Sequence, residues 1–310
     1  MIAGICPTSR RRFLHGVAGA ATGLVVGQKS LAADDTSRWR PRWILASALY
    51  GTFPLEKILP EVAKIGAEMI DLWPAPHGTQ REEIDSLGEE QVRDMLTAAG
   101  VRLGGIACYK IGAFQLASEF ALAERLGGQG TVLVATAPGD GTAKGDKLAS
   151  KIERFFEQLT PSVAAARATG GVIAIENHSN SLLQTPDAIR RFASLVADEC
   201  VGVALAPHHL PQDGELIATL ARDLGPRLKF VYAQQHGKGA KDRLPKEDEL
   251  LQLPGRGPLD FGPLMRELAT MRFAGPVEVF MHPVPRGVPI LDTIPAITAE
   301  INQAQASLQR

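Results

Sequence analysis

Cysteine is scarce in this chain: three occur among 310 residues, and none has a partner at Cys-x-x-Cys spacing. Cys6, Cys108 and Cys200 therefore predict neither a disulfide framework nor a zinc ribbon. An excess of charge of one sign is also lacking, because 33 basic and 34 acidic side chains are mixed along the chain for a formal net charge of -1. This balance argues against a nucleic-acid partner and against binding to an anionic membrane surface.

Motifs for nucleotide binding and acyl transfer are missing as well. The glycine-rich stretches at residues 236–239 and 255–257 lack the spacing of a dinucleotide fingerprint or a P-loop, and they follow a late strand instead of opening the first βα unit. The chain has no Gly-x-Ser-x-Gly elbow. We therefore predict no nucleotide cofactor and no serine or cysteine acyl chemistry.

The first 33 residues are predicted to be a twin-arginine signal peptide. Residues 9–14 read Ser-Arg-Arg-Arg-Phe-Leu, an apolar stretch covers residues 16–26, and small residues near position 32 suit signal peptidase. The apolar stretch is shorter than the roughly 18 to 20 residues that span a bilayer, so no membrane anchor is predicted after processing. The mature protein is expected in the periplasm, and an unprocessed basic N-terminus is the alternative.

From residue 43 onward, short β-branched runs alternate with amphipathic helical stretches eight times. Eight βα units in one domain-sized segment predict a (β/α)8 TIM barrel over residues 34–310. Apolar residues at helical spacing, such as Leu55, Ile58 and Val62, mark the helix faces that pack on the barrel. The predicted strands are residues 43–50, 68–73, 101–107, 131–136, 171–176, 201–205, 228–233 and 276–281.

Side chains at the carboxyl ends of the strands form the mouth of such a barrel, where active sites lie. Glu176, Asn177 and His178 end the apolar run of residues 172–175, which makes them the leading site candidates. A carboxylate that follows a buried strand is costly to bury unpaired, so a functional role for Glu176 is favoured over a structural ion pair.

Four segments carry recognisable motifs. Residues 66–73 read Gly-Ala-Glu-Met-Ile-Asp-Leu-Trp, 175–178 read Ile-Glu-Asn-His, 254–261 read Pro-Gly-Arg-Gly-Pro-Leu-Asp-Phe, and 275–277 read Gly-Pro-Val. In this order they resemble segments of the xylose isomerase-like TIM barrel superfamily, which contains sugar phosphate isomerases and epimerases and shares its fold with endonuclease IV. The resemblance covers about residues 43–300.

The resemblance implies a divalent metal at the barrel mouth, held by Glu on strand five, Asp after strand six, His after strand seven and Glu at the end of strand eight. Glu176 matches the first ligand. The Asp position holds Ala206, although His209 matches the histidine three residues later. The strand-seven position falls near residues 232–234, and the last Glu falls on Phe280. The ligand set is therefore only partly kept.

A rebuilt metal site is one interpretation of these losses. Because side chains alternate across a strand, His282 shares the inward face with Phe280. His282 would then join Glu176, His209 and His236 as predicted metal ligands, a set suited to Zn, Mn, Fe or Ni. The alternative is that the histidine loops hold a sugar by hydrogen bonds alone.

Three further residues, His178, Gln234 and Arg286, are predicted to bind substrate; for His178 and Arg286 the alternative is a solvent-exposed loop position.

Three more polar residues are given structural or surface roles. His208 is expected to be structural, because adjacent residues cannot face the same way on an extended strand end. His77 is expected at the surface, and the alternative is that it lines the pocket from the loop above strand two. Glu278 is expected to be a buried carboxylate paired with a Lys or Arg.

Together these residues predict a periplasmic enzyme of sugar isomerase or epimerase type that acts next to a carbonyl through a metal-held enediolate, with a small carbohydrate as its partner. Glu176 serves as base or ligand, and His209 is the second predicted catalytic residue. A 3-epimerase needs two opposed proton-transfer groups, and Phe280 removes one of them. One-base chemistry is therefore favoured, either isomerisation or elimination by a keto-sugar or keto-glycoside lyase or hydrolase. A non-catalytic carbohydrate-binding barrel is the other alternative, while charge argues against a nuclease.

Overall fold

The structure is a computed structural model and describes residues 39–309. The predicted signal peptide lies outside the described residues. Each strand pairs in parallel with the next along the chain, and β8 pairs with β1, so the sheet closes on itself. This confirms the predicted TIM barrel. The strands are β1 (Arg42–Ala46), β2 (Met69–Leu72), β3 (Arg102–Ala107), β4 (Val132–Thr136), β5 (Val172–Glu176), β6 (Val201–Leu205), β7 (Leu228–Ala233) and β8 (Pro276–Val279).

Strands β6 and β7 have the predicted bounds, whereas the first and last strands are shorter than predicted. The chain leaves β1 after Ala46 and forms a 3-10 helix over Ser47–Tyr50. It leaves β8 after Val279, although Phe280 and Met281 are buried too. An apolar run marks burial, but it does not show where strand pairing stops.

The helices of the described residues form the outer layer of the barrel. Within residues 39–309, no helix is both long enough and apolar enough to span a bilayer. The helices are α1 (Leu55–Lys64), α2 (Gln80–Leu87), α3 (Glu89–Ala99), α4 (Ala117–Arg125), α5 (Gly145–Thr169), α6 (Pro186–Leu195), α7 (Gly214–Leu224), α8 (Lys246–Glu249), α9 (Gly262–Thr270) and α10 (Ile294–Leu308).

Local sequence explains where two of the helices begin or end. Thr185 caps α6 by accepting a hydrogen bond from the backbone N–H of Ala188, and Pro186 occupies the first helical position, where its missing N–H costs nothing. Gly100 ends α3 in the left-handed conformation that a residue without Cβ adopts most easily.

Two carboxyl groups lie fully buried inside the barrel, Asp71 on β2 and Glu278 on β8, on the two strands that flank β1. None of their four oxygens has a hydrogen-bond partner among the described residues. The prediction that a Lys or Arg pairs with Glu278 is wrong: its ionisable neighbour is Asp71, and the Trp73 indole lies beside both. Burial raises the pKa of Asp71 to about 8 and that of Glu278 well above its ordinary value, so both are uncharged acids at neutral pH.

Candidate active site

A cavity of about 350 Å³ opens at the carboxyl ends of the strands. Its size falls in the range of small-molecule sites. A larger groove of about 660 Å³ lies beside Trp39, where the chain approaches β1, and it lacks a histidine. The mouth cavity combines a carboxylate, several imidazoles and aromatic rings, and is therefore the candidate site. Its walls include Trp73, His77, Tyr109, Thr136, Glu176, His178, Tyr232, Phe280, His282 and Arg286.

Glu176 is the last residue of β5 and is 6% exposed. It is held in register with Thr136 of β4 and Ala204 of β6, which places its side chain at the cavity floor. Burial raises the pKa of Glu176 to about 8, and the nearby Tyr109 hydroxyl opposes that rise. The Glu176 carboxyl group has no Lys or Arg partner among the described ion pairs, and a bound cation would favour its ionised form.

His209 ends a 3-10 turn, Pro207–His209, that directly follows β6. Its Nε2 atom lies 3.7 Å from Oε1 of Glu176. Burial, and then the neighbouring imidazole of His178, lower the pKa of His209 to about 2. The ring is therefore neutral at physiological pH, which is the form that ligates metals.

His178 completes a cluster of three metal-ligating side chains. One ligand atom from each of Glu176, His178 and His209 lies within 4.8 Å of the others. The Nδ1 atom of His178 is 2.6 Å from the backbone oxygen of Ser179. When Nδ1 carries the proton and donates it to that oxygen, the lone pair of Nε2 is free to bind a metal, a common arrangement for ligating histidines.

The donor set fits a divalent transition metal. Two imidazoles and one carboxylate are the ligands of one class of catalytic zinc site, which leaves a fourth position for water or substrate. Manganese, iron and nickel accept the same donors. The geometry therefore supports a metal site on β5 and β6.

One wall of the cavity is aromatic. The rings of Trp73 and Phe280 stack with centroids 4.5 Å apart and planes 12° from parallel. Tyr109 packs against Trp73 with centroids 5.3 Å apart, and its hydroxyl is 3.0 Å from that of Tyr232. These rings give the site a flat apolar surface beside the polar cluster.

The xylose isomerase-like TIM barrel model matches residues 59–297 of the chain. The chain belongs to the xylose isomerase-like TIM barrel family. No curated protein matches the chain.

Several solved structures share the fold. D-psicose 3-epimerase of Clostridium cellulolyticum H10, solved with D-tagatose, is 16% identical with a TM-score of 0.64, covering 86% of this chain and 98% of its own. IolI protein with a bound zinc atom is 15% identical with a TM-score of 0.63, covering 86% and 96%. The probable 3-DHS dehydratase AsbF of Bacillus anthracis is 12% identical with a TM-score of 0.61, covering 87% and 99%. At these identities the likeness concerns the fold.

Within this xylose isomerase-like barrel, two predicted metal ligands stand apart from the three-residue cluster. His236 is exposed, and its ring lies 5.2 Å from that of His208. His282 lines the cavity but packs against His77 and Phe280, with ring centroids at 5.1 and 4.8 Å. Both residues lie beyond the ends of their strands, where the loop path and not the strand register sets the side-chain position. Of the four predicted ligands, Glu176 and His209 are brought together.

Two of the three predicted substrate-binding residues line the cavity, and the third does not. His178 and Arg286 line the cavity, and His178 does so as a member of the cluster. Arg286 is half-buried and donates from its guanidinium to the backbone oxygens of Pro283 at 2.6 Å and Ala240 at 2.8 Å. Gln234 is buried away from the cavity wall, with its amide nitrogen donating to Gln252 at 2.9 Å. The structure thus gives Gln234 a role in supporting the loop after β7.

His208 is buried with Nδ1 3.0 Å from the backbone oxygen of Gln235, as suits the predicted structural role. His77 was expected at the surface, but it lines the cavity and its ring lies 5.3 Å from Trp73. Tyr109 was not singled out from the sequence at all. It comes two residues after β3, so its place in the chain, at a strand's carboxyl end, was the available signal.

Proposed function

We propose that the protein is an exported, metal-assisted enzyme that removes a proton from the carbon next to a carbonyl group of a carbohydrate, the chemistry of sugar isomerases and epimerases. The observation that carries the proposal is the cluster of Glu176, His178 and His209 in a mouth cavity with an aromatic wall. Membership of the xylose isomerase-like family supports this reaction class. The twin-arginine pattern of residues 9–14 supports export.

Glu176, His178 and His209 would hold the metal, and the zinc atom of the similarly folded IolI structure supports such a site. A bound divalent ion would polarise the substrate carbonyl and stabilise negative charge on its oxygen. His178 is oriented for this task by the Ser179 carbonyl, and burial keeps His209 neutral. The site therefore needs no rearrangement of these two rings to ligate an ion.

Glu176 is the proposed base. A carboxylate has two oxygens, so ligation through one leaves the other to accept a proton from the substrate carbon. Burial raises the pKa of Glu176 to about 8. A bound cation would lower this pKa again and favour the ionised form that accepts the proton. A general base works best when its pKa lies near the working pH.

The cavity suits a neutral sugar ring. Its volume of about 350 Å³ is at the small end of ligand sites. The stacked Trp73 and Phe280 rings offer an apolar surface to the C–H face of a sugar ring. The metal-ligating cluster and the nearby hydroxyl groups lie where they can contact the hydroxyl groups of that sugar. The D-psicose 3-epimerase solved with D-tagatose shows a sugar enzyme on this fold, which supports a carbohydrate substrate.

A second candidate reaction is elimination from a keto-sugar or keto-glycoside. Phe280 occupies the position where the family resemblance places a carboxylate, so the site has one carboxylate at the cavity floor, not two opposed ones. Elimination and aldose–ketose isomerisation need only one base, whereas 3-epimerisation needs two opposed groups. The probable dehydratase AsbF has the same fold, which supports this candidate in general terms.

The proposal is tested by solvent deuterium uptake. Protein purified with its native metal is incubated in D2O with a panel of aldoses, ketoses and keto-glycosides, and exchange at the carbon next to the carbonyl is followed by NMR, together with isomerised and eliminated products. Glu176→Gln keeps the shape and removes the basicity, so exchange should fall by about 10² to 10⁴-fold. Glu300→Gln is the matched control, because Glu300 is a buried carboxylate that pairs with Arg256 outside the cavity.

Elemental analysis of the same preparation should find about one transition metal per chain. Sugar binding without exchange, isomerisation or elimination on any substrate of the panel would replace the enzyme with a non-catalytic carbohydrate-binding barrel. Equal losses in Glu176→Gln and Glu300→Gln would show that the effect is structural.

A further inference from the structure

Proton removal next to a carbonyl leaves negative charge on the carbonyl oxygen. Enzymes stabilise that charge with hydrogen-bond donors fixed in advance at the oxygen. Phe280 and its stacking partner Trp73 fill part of the cavity wall with apolar surface. The faces of these rings carry no hydrogen-bond donor, so a protein donor for the oxygen lies elsewhere in the cavity wall.

Tyr109 is placed to be that donor. It follows β3, is half-buried, and lines the cavity together with Glu176. Its ring is fixed against Trp73 at 5.3 Å. Its hydroxyl lies beside the carboxyl of Glu176 and is also 3.0 Å from the hydroxyl of Tyr232.

The environment of Tyr232 sets the direction of this hydrogen bond. Tyr232 is 1% exposed, and among the described hydrogen bonds its hydroxyl has Tyr109 as its partner. A buried O–H that donated to nothing would cost free energy. Tyr232 therefore donates to the oxygen of Tyr109, which leaves the proton of Tyr109 for an acceptor in the cavity.

Two other residues that line the cavity, Arg286 and His178, have donors that are already engaged. The guanidinium of Arg286 donates to two backbone oxygens, 2.6 and 2.8 Å away. The Nδ1 atom of His178 is held by the oxygen of Ser179. The Tyr109 hydroxyl is hydrogen-bonded to Glu176, so a substrate oxygen that enters beside this carboxyl would meet the Tyr109 proton.

We propose that Tyr109 is a further catalytic residue, which donates a hydrogen bond to the substrate carbonyl oxygen as the enediolate forms, and that Tyr232 is its positioning residue. This inference rests on the proposed function. In the step, the substrate C–H bond breaks and its proton passes to Glu176. The electron pair forms the new C=C bond, the carbonyl π pair moves onto oxygen, and the Tyr109 proton stays on the phenol while it bonds that oxygen.

The test compares three single-atom deletions, Tyr109→Phe, Tyr232→Phe and Tyr50→Phe, in the metal-loaded protein. These are the three tyrosines of the chain. Tyr50→Phe is the matched control, because the Tyr50 hydroxyl bonds Thr298 and does not line the cavity. The readouts are kcat and KM for deuterium exchange, and calorimetric binding of a five-carbon aldonohydroxamate, a planar mimic of an enediolate, against xylitol, a polyol of equal length.

Tyr109→Phe should lower kcat about 10² to 10³-fold with little change in KM, the effect of removing one oxyanion donor. It should weaken hydroxamate binding while leaving xylitol binding and metal content as in the wild type. Tyr232→Phe should show the same pattern with a smaller loss, since the Tyr109 hydroxyl remains but is less firmly oriented.

Wild-type kcat in Tyr109→Phe, or equal weakening of hydroxamate and xylitol, would overturn the role of Tyr109 and leave the proposed function standing. Wild-type protein that neither exchanges deuterium nor prefers the hydroxamate would instead overturn the proposed function, and this inference with it.

Discussion

The Nε2 atom of His209 lies 3.7 Å from Oε1 of Glu176 at the carboxyl ends of two neighbouring strands, β6 and β5. This separation is long for a hydrogen bond but suits two ligands of one ion. Two donors that are each about 2.1 Å from a tetrahedral zinc lie about 3.4 Å apart. The pair thus has the spacing of a metal site before any ion binds.

The first prediction concerns the ligands of that site. His209→Ala and His178→Ala should each lower the affinity for Zn²⁺ by more than the roughly 10 to 100-fold that loss of an outer-shell partner costs. Calorimetric titration with ZnCl2 after chelator treatment measures this, and elemental analysis of protein as purified checks it.

His236→Ala is the matched control, since this exposed imidazole lies outside the cluster of three. It should bind Zn²⁺ as the wild type does. Loss of zinc in His236→Ala with retention in His178→Ala would contradict the structure and favour the ligand set read from the sequence.

Part of this site could be predicted from the sequence, because strand periodicity decides it. Glu176 follows a clear apolar strand, so its place at the barrel mouth follows from the βα pattern alone. The loop residues are different. His236 and His282 lie where no register constrains them, and His178 joins the cluster only because the chain turns at Ser179. Local turn geometry of this kind has no periodic signal in the sequence.

The second prediction concerns the buried Asp71 and Glu278. Burial raises the pKa of Asp71 to about 8, while in the unfolded chain it returns to about 4. Between these values the folded state retains a proton that the unfolded state has lost, so the free energy of unfolding decreases as the pH rises. One retained proton gives a slope of about -1.4 kcal/mol per pH unit.

Buried histidines act in the opposite direction at lower pH. Burial lowers the pKa of His77 and His208 to about 4, so the unfolded state binds more protons than the folded state below about 6.5. The carboxyl effect is therefore measured from pH 6.5 to 8. Asp71→Asn should flatten the decrease by about 1.4 kcal/mol per pH unit, as measured by urea denaturation. Parallel curves for the variant and the wild type would show that Asp71 is ionised in the folded protein.

The barrel itself was predictable because eight units repeat the same signal, so an error in one strand boundary does not change the topology. The polar residues inside the barrel were less predictable than its topology. A carboxylate inside a barrel normally implies a basic partner, yet Glu278 has Asp71 as its neighbour. Two acids that share a dry site must keep at least one proton between them. Their protonation depends on the assembled surroundings, which the sequence of a single strand does not indicate.

The third prediction concerns Gly105 of β3. A Cβ at this position would lie 2.7 Å from Oδ1 of Asp71, closer than such contacts allow. Gly105→Ala should therefore cost about 1 to 3 kcal/mol, the usual cost of overpacking a core. Combining it with Asp71→Ala, which removes the contacted carboxyl, should recover part of that loss, and a double-mutant cycle by urea denaturation measures the recovery. Strictly additive costs would mean that Gly105 is required for another reason.

The last prediction concerns export, which rests on residues 1–33. The twin-arginine route moves folded proteins, so a cofactor can be loaded before transport, as suits a metal enzyme. The pattern centres on Arg10 and Arg11, followed by a weakly apolar segment and small residues before Ala33. Replacing both arginines with Lys keeps the charge but removes the recognised pair, so precursor should accumulate in the cytoplasm.

The wild-type protein isolated from the periplasmic fraction should begin near Ala33 or Asp34, as determined by N-terminal sequencing. Unchanged export of the Lys variant, or a periplasmic protein that still starts at Met1, would refute the assignment.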